Sequence, residues 1–183
     1  MSLLIVSLFI TYMLFNIYTD FLYLKTKGYW HLIFLVLCIC LGVITHIKLL
    51  DLMCVVCVSL VVGILRENMK LIRFSPGDTK MIIVASLFYF LISPEEGVLY
   101  TALMVHIAIF MCSSILTGFI TLLLLFKSFI RFKTITGYHS IKFKKMNISL
   151  VTDGWKVTRM YYCLPAAISV LGGVIPLILI SLK

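Results

Sequence analysis

V-L-Y-T-A-L-M-V-H-I-A-I-F-M-C-S-S-I-L-T-G-F-I-T-L-L-L-L-F, Val98 to Phe126, contains no charged side chain. A helix over this stretch would be about 43 Å long at 1.5 Å per residue, against a bilayer hydrocarbon core of about 30 Å. The run therefore predicts a membrane-spanning helix that tilts, bends or protrudes.

Further apolar runs flank it: Leu3 to Tyr18, Trp30 to Ile47, Leu49 to Leu65, Met81 to Ile92 and Tyr161 to Leu182. With the first run they make six spans, an all-α integral membrane fold in a single membrane-embedded domain over residues 1–183. Composition agrees. Hydrophobic residues make up 62% of the 183 and charged residues 13%, too few for the polar shell of a soluble domain. The Met81 to Ile92 run is short, and becomes long enough only by taking in Thr79, Lys80 and Ser93, with the Lys80 ammonium reaching back to the headgroups. Met1 to Thr19 has neither the basic start nor the small-residue cleavage site of a secretory signal, so it is expected to stay as the first helix.

Charge distribution orients the spans. With the N-terminus outside, 14 of the 16 Lys and Arg residues fall in inside segments, leaving only Lys48 and Lys183 outside, while Glu95 and Glu96 mark an outer turn. This is the positive-inside pattern. The net charge of +9 sits in short segments between apolar runs, so the expected partners are anionic lipid headgroups and not nucleic acid. Residues 127–160 form the one sizeable basic cytoplasmic segment. Within it, Ile148 to Thr158 reads as two short strands around an Asp153-Gly154 turn or as an amphipathic stretch lying on the membrane.

Cofactor and metal chemistry find no foothold. Cys38, Cys40, Cys54, Cys57 and Cys112 lie inside apolar runs and Cys163 opens another, so they read as small apolar residues. His31, His46, His106 and His139 are scattered, without metal-ligand spacing. His106 is expected to hydrogen-bond inside the bundle.

Among the acids, Glu67, Glu95 and Glu96 suit ordinary surface roles, Asp51 an interfacial one and Asp153 a turn. Asp20, closing the first helix, and Asp78, opening the fourth, remain, both at one membrane depth on the inside. Each could simply cap a helix boundary, or the two carboxylates could converge as a functional pair, because ionisable groups near the apolar zone are costly unless they meet water or a partner. Gly77 stands directly before Asp78 and would permit close backbone approach. Pro76 suits a helix-initiating turn.

The segment Ser75-Pro-Gly-Asp-Thr-Lys-Met81 resembles the GxGDxKL motif of the type IV prepilin peptidases, membrane aspartic proteases that include the archaeal preflagellin peptidases. Gly77, Asp78 and Lys80 match, Met81 replaces Leu, and Ser75 departs from the first Gly. The stretch T19-D-F-L-Y-L-K-T-K-G-Y-W is similar to the family's other aspartate region through Asp20 and Lys25, although Thr26, Lys27 and Gly28 replace its usual Ile-Pro-Asn. Pro165 and Gly172 fall where the family enters its last helix. The resemblance implies catalytic Asp20 and Asp78, supported by Gly77 and Lys80, cleaving the leader from prepilin-like substrates at the cytoplasmic face of the cell membrane in pilus or protein-secretion systems. Such enzymes need no cofactor. The family's methyltransferase domain, with its two CxxC pairs, has no room between Thr19 and Tyr29, so peptidase activity alone is expected. The rival expectations are a small proton-linked transporter using Asp20, Asp78 and His106, or a noncatalytic assembly subunit.

The charge pattern predicts that Ser140→Cys, in a background without the native cysteines, is shielded from membrane-impermeant thiol reagents in intact cells and labelled after permeabilisation. Labelling from outside would reverse the orientation.

Overall fold

The computed structural model describes residues 2–23, 26–68, 76–132, 137–143, 146–153, 156–163 and 166–182. Lys25, Lys70, Arg73, Ser75, Lys133, Lys144, Lys145, Gly154, Pro165 and Lys183, which figure in the sequence reading, lie outside them. Six helices follow in order: α1 (Ser2–Tyr23), α2 (Gly28–Ile44), α3 (Leu49–Asn68), α4 (Pro76–Ile92), α5 (Val98–Phe132) and α6 (Ala166–Ser181). Between α5 and α6 lie strands β1 (Gly137–Phe143), β2 (Met146–Asp153) and β3 (Lys156–Cys163).

Among the described residues three helical segments are long and apolar enough to cross a membrane, Ser2–Tyr23, Leu49–Arg66 and Val98–Lys127; Gly28–Ile44 and Ala166–Ser181 are shorter apolar helices. Large apolar side chains such as Leu14, Leu32, Val61, Phe119 and Leu179 stand exposed around the helices. A surface of this kind is suited to lipid rather than water.

The short fourth run proves to be the centre of the molecule. Every residue of α4 from Met81 to Leu91 is buried, and the helix packs against α1, α2, α3, α5 and α6. An apolar run without an amphipathic stripe is what such a site requires, because the helix has no free face. Its extension was half foreseen: Thr79 and Lys80 belong to the helix, but Ser93 does not, standing instead before a 3₁₀ turn at Pro94–Glu96. Proline fixes the start of that turn, and Gly97 leaves it with φ of 83°, where a glycine is at home.

Aromatic side chains fill the space between α1, α2 and α4. Phe9 meets Phe88 edge-on at 5.5 Å between centroids, Tyr12 lies 4.9 Å from Phe34, and Trp30 bridges Phe15 at 4.2 Å and Phe34 at 4.8 Å. Small residues bring other helices together. Gly63 of α3 lies against Thr79 of α4, and Gly173 of α6 lies so close to α5 that an added Cβ would stand 2.8 Å from the Ile109 backbone nitrogen. Close backbone approach of this sort suits helix association in lipid, where apolar contact alone provides little drive.

α5 is a continuous helix of 35 residues, about 52 Å long at 1.5 Å per residue. It is therefore far longer than a bilayer core, and its far end touches β1. The three strands form an antiparallel sheet in the order β1-β2-β3. The two strands anticipated on either side of the Asp153-Gly154 turn are present as the pairing of β2 with β3, from Asn147↔Cys163 to Asp153↔Lys156, with an irregularity between Val151 and Thr152; Gly154 itself lies outside the described residues. Two expectations from the sequence need correction. The basic segment carries a further strand, β1, and Tyr161 to Cys163, read as the start of the last helix, belong to β3. Two tyrosines in a short apolar run suit either state, and pairing with 147–149 decides for the strand.

The α5–α6 contact predicts that Gly173→Ala destabilises the protein by about 1–3 kcal/mol, the usual cost of overpacking where backbone must yield. Gly118→Ala, with open space where the Cβ would go, should leave it unchanged or slightly more stable. Thermal unfolding of both variants in detergent checks the contrast.

Candidate functional site

Asp20 lies in the last turn of α1 and is only 4% exposed. Its carboxylate does not face bulk water. Oδ2 accepts a hydrogen bond from the Ala167 backbone N–H at 3.1 Å, linking positions 147 residues apart. The donor belongs to the first turn of α6, where backbone N–H groups have no partner within the helix and the dipole favours negative charge. The capping reading thus holds for Asp20 in an unexpected form: it caps the start of α6 rather than a boundary of its own helix.

Asp78 is half-buried in the first turn of α4 and lies near enough to Asp20 for the two charges to interact. Two helices separated by more than 50 residues thus bring their carboxylates to one end of the bundle. Gly77 sits half-buried beside Asp78 in the same turn. Lys80 departs in another direction. Two positions along a helix are about 200° around its axis, and Lys80 is exposed in a cleft lined also by Gly28, His31 and Val56. The cleft lining includes neither aspartate.

A buried polar row on α1 escaped the sequence reading. Tyr12, Asn16 and Asp20 recur every four residues, and all three are buried on the face turned into the bundle. The Asn16 amide donates to the Tyr12 carbonyl at 2.9 Å. The Tyr12 hydroxyl lies 2.6 Å from Nδ1 of His31, whose Nε2 is 2.7 Å from Oγ1 of Thr26. Donation by the tyrosine hydroxyl to Nδ1 leaves Nε2–H to donate to Thr26, a neutral ring with both nitrogens used. The four-residue spacing back from Asp20 was the available signal, masked by the apolar residues around it.

His106 belongs to a different neighbourhood. It is 4% exposed and has the Arg66 charge and the Ser59 backbone of α3 as its polar surroundings, without a well-formed hydrogen bond to either ring nitrogen among the described residues. At the opposite end of the bundle the Tyr89 hydroxyl donates to Glu96 at 2.7 Å and accepts from Ser181 at 3.2 Å. Tyr89 therefore ties α4 to α6 and to the Pro94–Glu96 turn, and Glu96 gains a partner beyond the plain surface role expected of it. Among the described residues no group of three or more His, Cys, Asp or Glu gathers as a metal site, and Cys38, Cys40, Cys54, Cys57 and Cys112 are free.

The Asp20–Ala167 bond predicts that Asp20→Ala lowers stability by about 1 kcal/mol, as loss of a capping oxygen commonly does. Asp20→Asn retains an oxygen acceptor and should melt close to wild type. Thermal unfolding in one detergent separates them; equal melting of all three proteins would mean that the bond contributes nothing.

Compared with protein-family models, with curated proteins and with solved structures, the chain finds no match.

Proposed function

We propose that the chain is a multi-pass membrane aspartic endopeptidase that removes leader peptides from prepilin-like proteins at the cytoplasmic face of the cell membrane. The observation that carries this reading is that Asp20 and Asp78 lie near enough at one end of the bundle for their charges to interact, at positions that resemble the two aspartates of the prepilin peptidases. In the proposed topology all six helices cross, with the N-terminus outside, and the alternation of 14 inside basic residues supports it. Asp20, Asp78 and the sheet-bearing basic segment then share the cytoplasmic side, where that segment meets anionic headgroups.

Two neighbouring carboxyl groups do not readily ionise together, so the pair holds one proton between them. The ionised member takes a proton from the attacking water as the oxygen bonds to the scissile carbonyl carbon. The protonated member donates to the carbonyl oxygen, and a proton then passes to the departing amine as the C–N bond breaks. Gly77, without a Cβ, lets the substrate backbone approach Asp78. The Ala167 N–H holds the Asp20 carboxylate in place, so that its orientation is fixed before substrate arrives. No cofactor enters this scheme. The short connection between α1 and α2 supports peptidase activity without methyl transfer. His106, grouped with Arg66 and Ser59, takes no part.

Asp20→Asn and Asp78→Asn should each reduce leader cleavage by about 100- to 10,000-fold, the usual weight of a general acid or base, while inserting and melting as wild type does. The assay is the purified protein in lipid with a prepilin-like substrate, its product identified by N-terminal sequencing. A folded variant of either kind that cleaves at the wild-type rate would remove the pair from the mechanism.

A further inference from the structure

On the side of α4 away from Asp78, a cleft of about 400 Å³ is lined by Gly28, His31, Leu32, Leu35, Val56, Lys80, Ile83 and Val84. Its chemistry is graded along the helices. Gly28, His31 and Lys80 come from the first turns of α2 and α4, whereas Leu35, Ile83, Val84 and Val56 lie further along their helices. Among the described residues Lys80 is the only charged one in the lining, and no carboxylate is among them. The His31 ring is already engaged by Tyr12 and Thr26. Gly28 leaves open space at the mouth, since a Cβ built there would meet nothing. One end thus offers a cation at the helix starts, and the other offers only hydrocarbon.

We propose that this cleft holds one anionic phospholipid, with its phosphate at Lys80 and an acyl chain along Leu35, Val56, Ile83 and Val84. Charge complementarity favours an anion, and the apolar walls give a free phosphate nothing to bind. The Lys80 stem can lie on the apolar wall while its ammonium stays at headgroup depth. This proposal does not rest on the peptidase reading: the cleft lining contains neither Asp20 nor Asp78, and it uses Lys80, to which the resemblance assigns a supporting role, only for its charge and position.

The test uses the full chain in bilayers of phosphatidylcholine with phosphatidylglycerol as a minor component. A trace of either lipid, carrying a diazirine on one acyl chain, is photolysed and its adducts are mapped by mass spectrometry. Phosphatidylglycerol adducts should concentrate on the peptides containing Leu35, Val56 and Ile83-Val84, and should exceed phosphatidylcholine adducts by about fivefold, the weight of one basic side chain against an anionic surface. Lys80→Gln should abolish that preference and Lys80→Arg preserve it. Leu35→Trp, which fills the apolar part, should reduce adducts of both lipids in protein whose melting is unchanged, and this carries the test should Lys80→Gln fail to fold. Equal labelling by the two lipids overturns the proposal, as does labelling no denser in the cleft than on the exposed face at Phe119 and Leu122. Displacement by excess inorganic phosphate would assign the site to a free anion, and displacement by an added apolar helical peptide would assign it to a helix; either result overturns a lipid site.

Discussion

A helix without a free face governs this molecule. Because α4 is buried all round from Met81 to Leu91, each of the other five helices must leave room for it, and the spacing of each is set by what α4 presents. Lipid chains are as apolar as leucine, so the advantage of enclosing α4 lies in fit rather than in escape from a polar solvent. Gly63 against Thr79 and the aromatic set around Phe88 supply that fit. Ser86, wholly buried, has its hydroxyl satisfied within the helix by donation to the Ile82 carbonyl at 3.0 Å. A polar group without such a partner would be expensive in this position.

The location of the aspartates follows from this arrangement. The start of a central helix emerges among the ends of its neighbours, so Asp78 comes near enough to Asp20 at the end of α1 for their charges to interact without a loop to carry it. Asp20 is fixed from the other side by Ala167. Rigid helix ends hold functional side chains more closely than loops do. The same geometry separates Lys80 from the pair, because a short step along α4 turns the side chain toward the opposite face, where it lines a cleft with His31 and Val56.

The apolar runs made the helical body legible from sequence, since their length and freedom from charge leave few alternatives. Helix ends were less legible. Ser93 was drawn toward α4 by the need for length, yet Pro94 after it imposes a turn. Tyr161 to Cys163 continue smoothly into an apolar run, and their strand state depends on pairing with residues distant enough to be invisible to local pattern. Asp20 and Asp78 stood out because acids are rare in this chain. The Ala167 contact did not, for a backbone donor carries no sequence signature. Nor did Tyr12 and His31, whose 2.6 Å contact joins two helices by side-chain geometry.

The bond from Asp20 to Ala167 also imposes a chronology. α1 leaves the ribosome before α6, so the carboxylate waits through the synthesis of 147 further residues before its donor exists. A nascent chain halted before residue 166 has both aspartates but lacks the group that orients the first. Synthesis of α6 therefore supplies the donor that fixes Asp20, and a product that stops short of it is left without that bond.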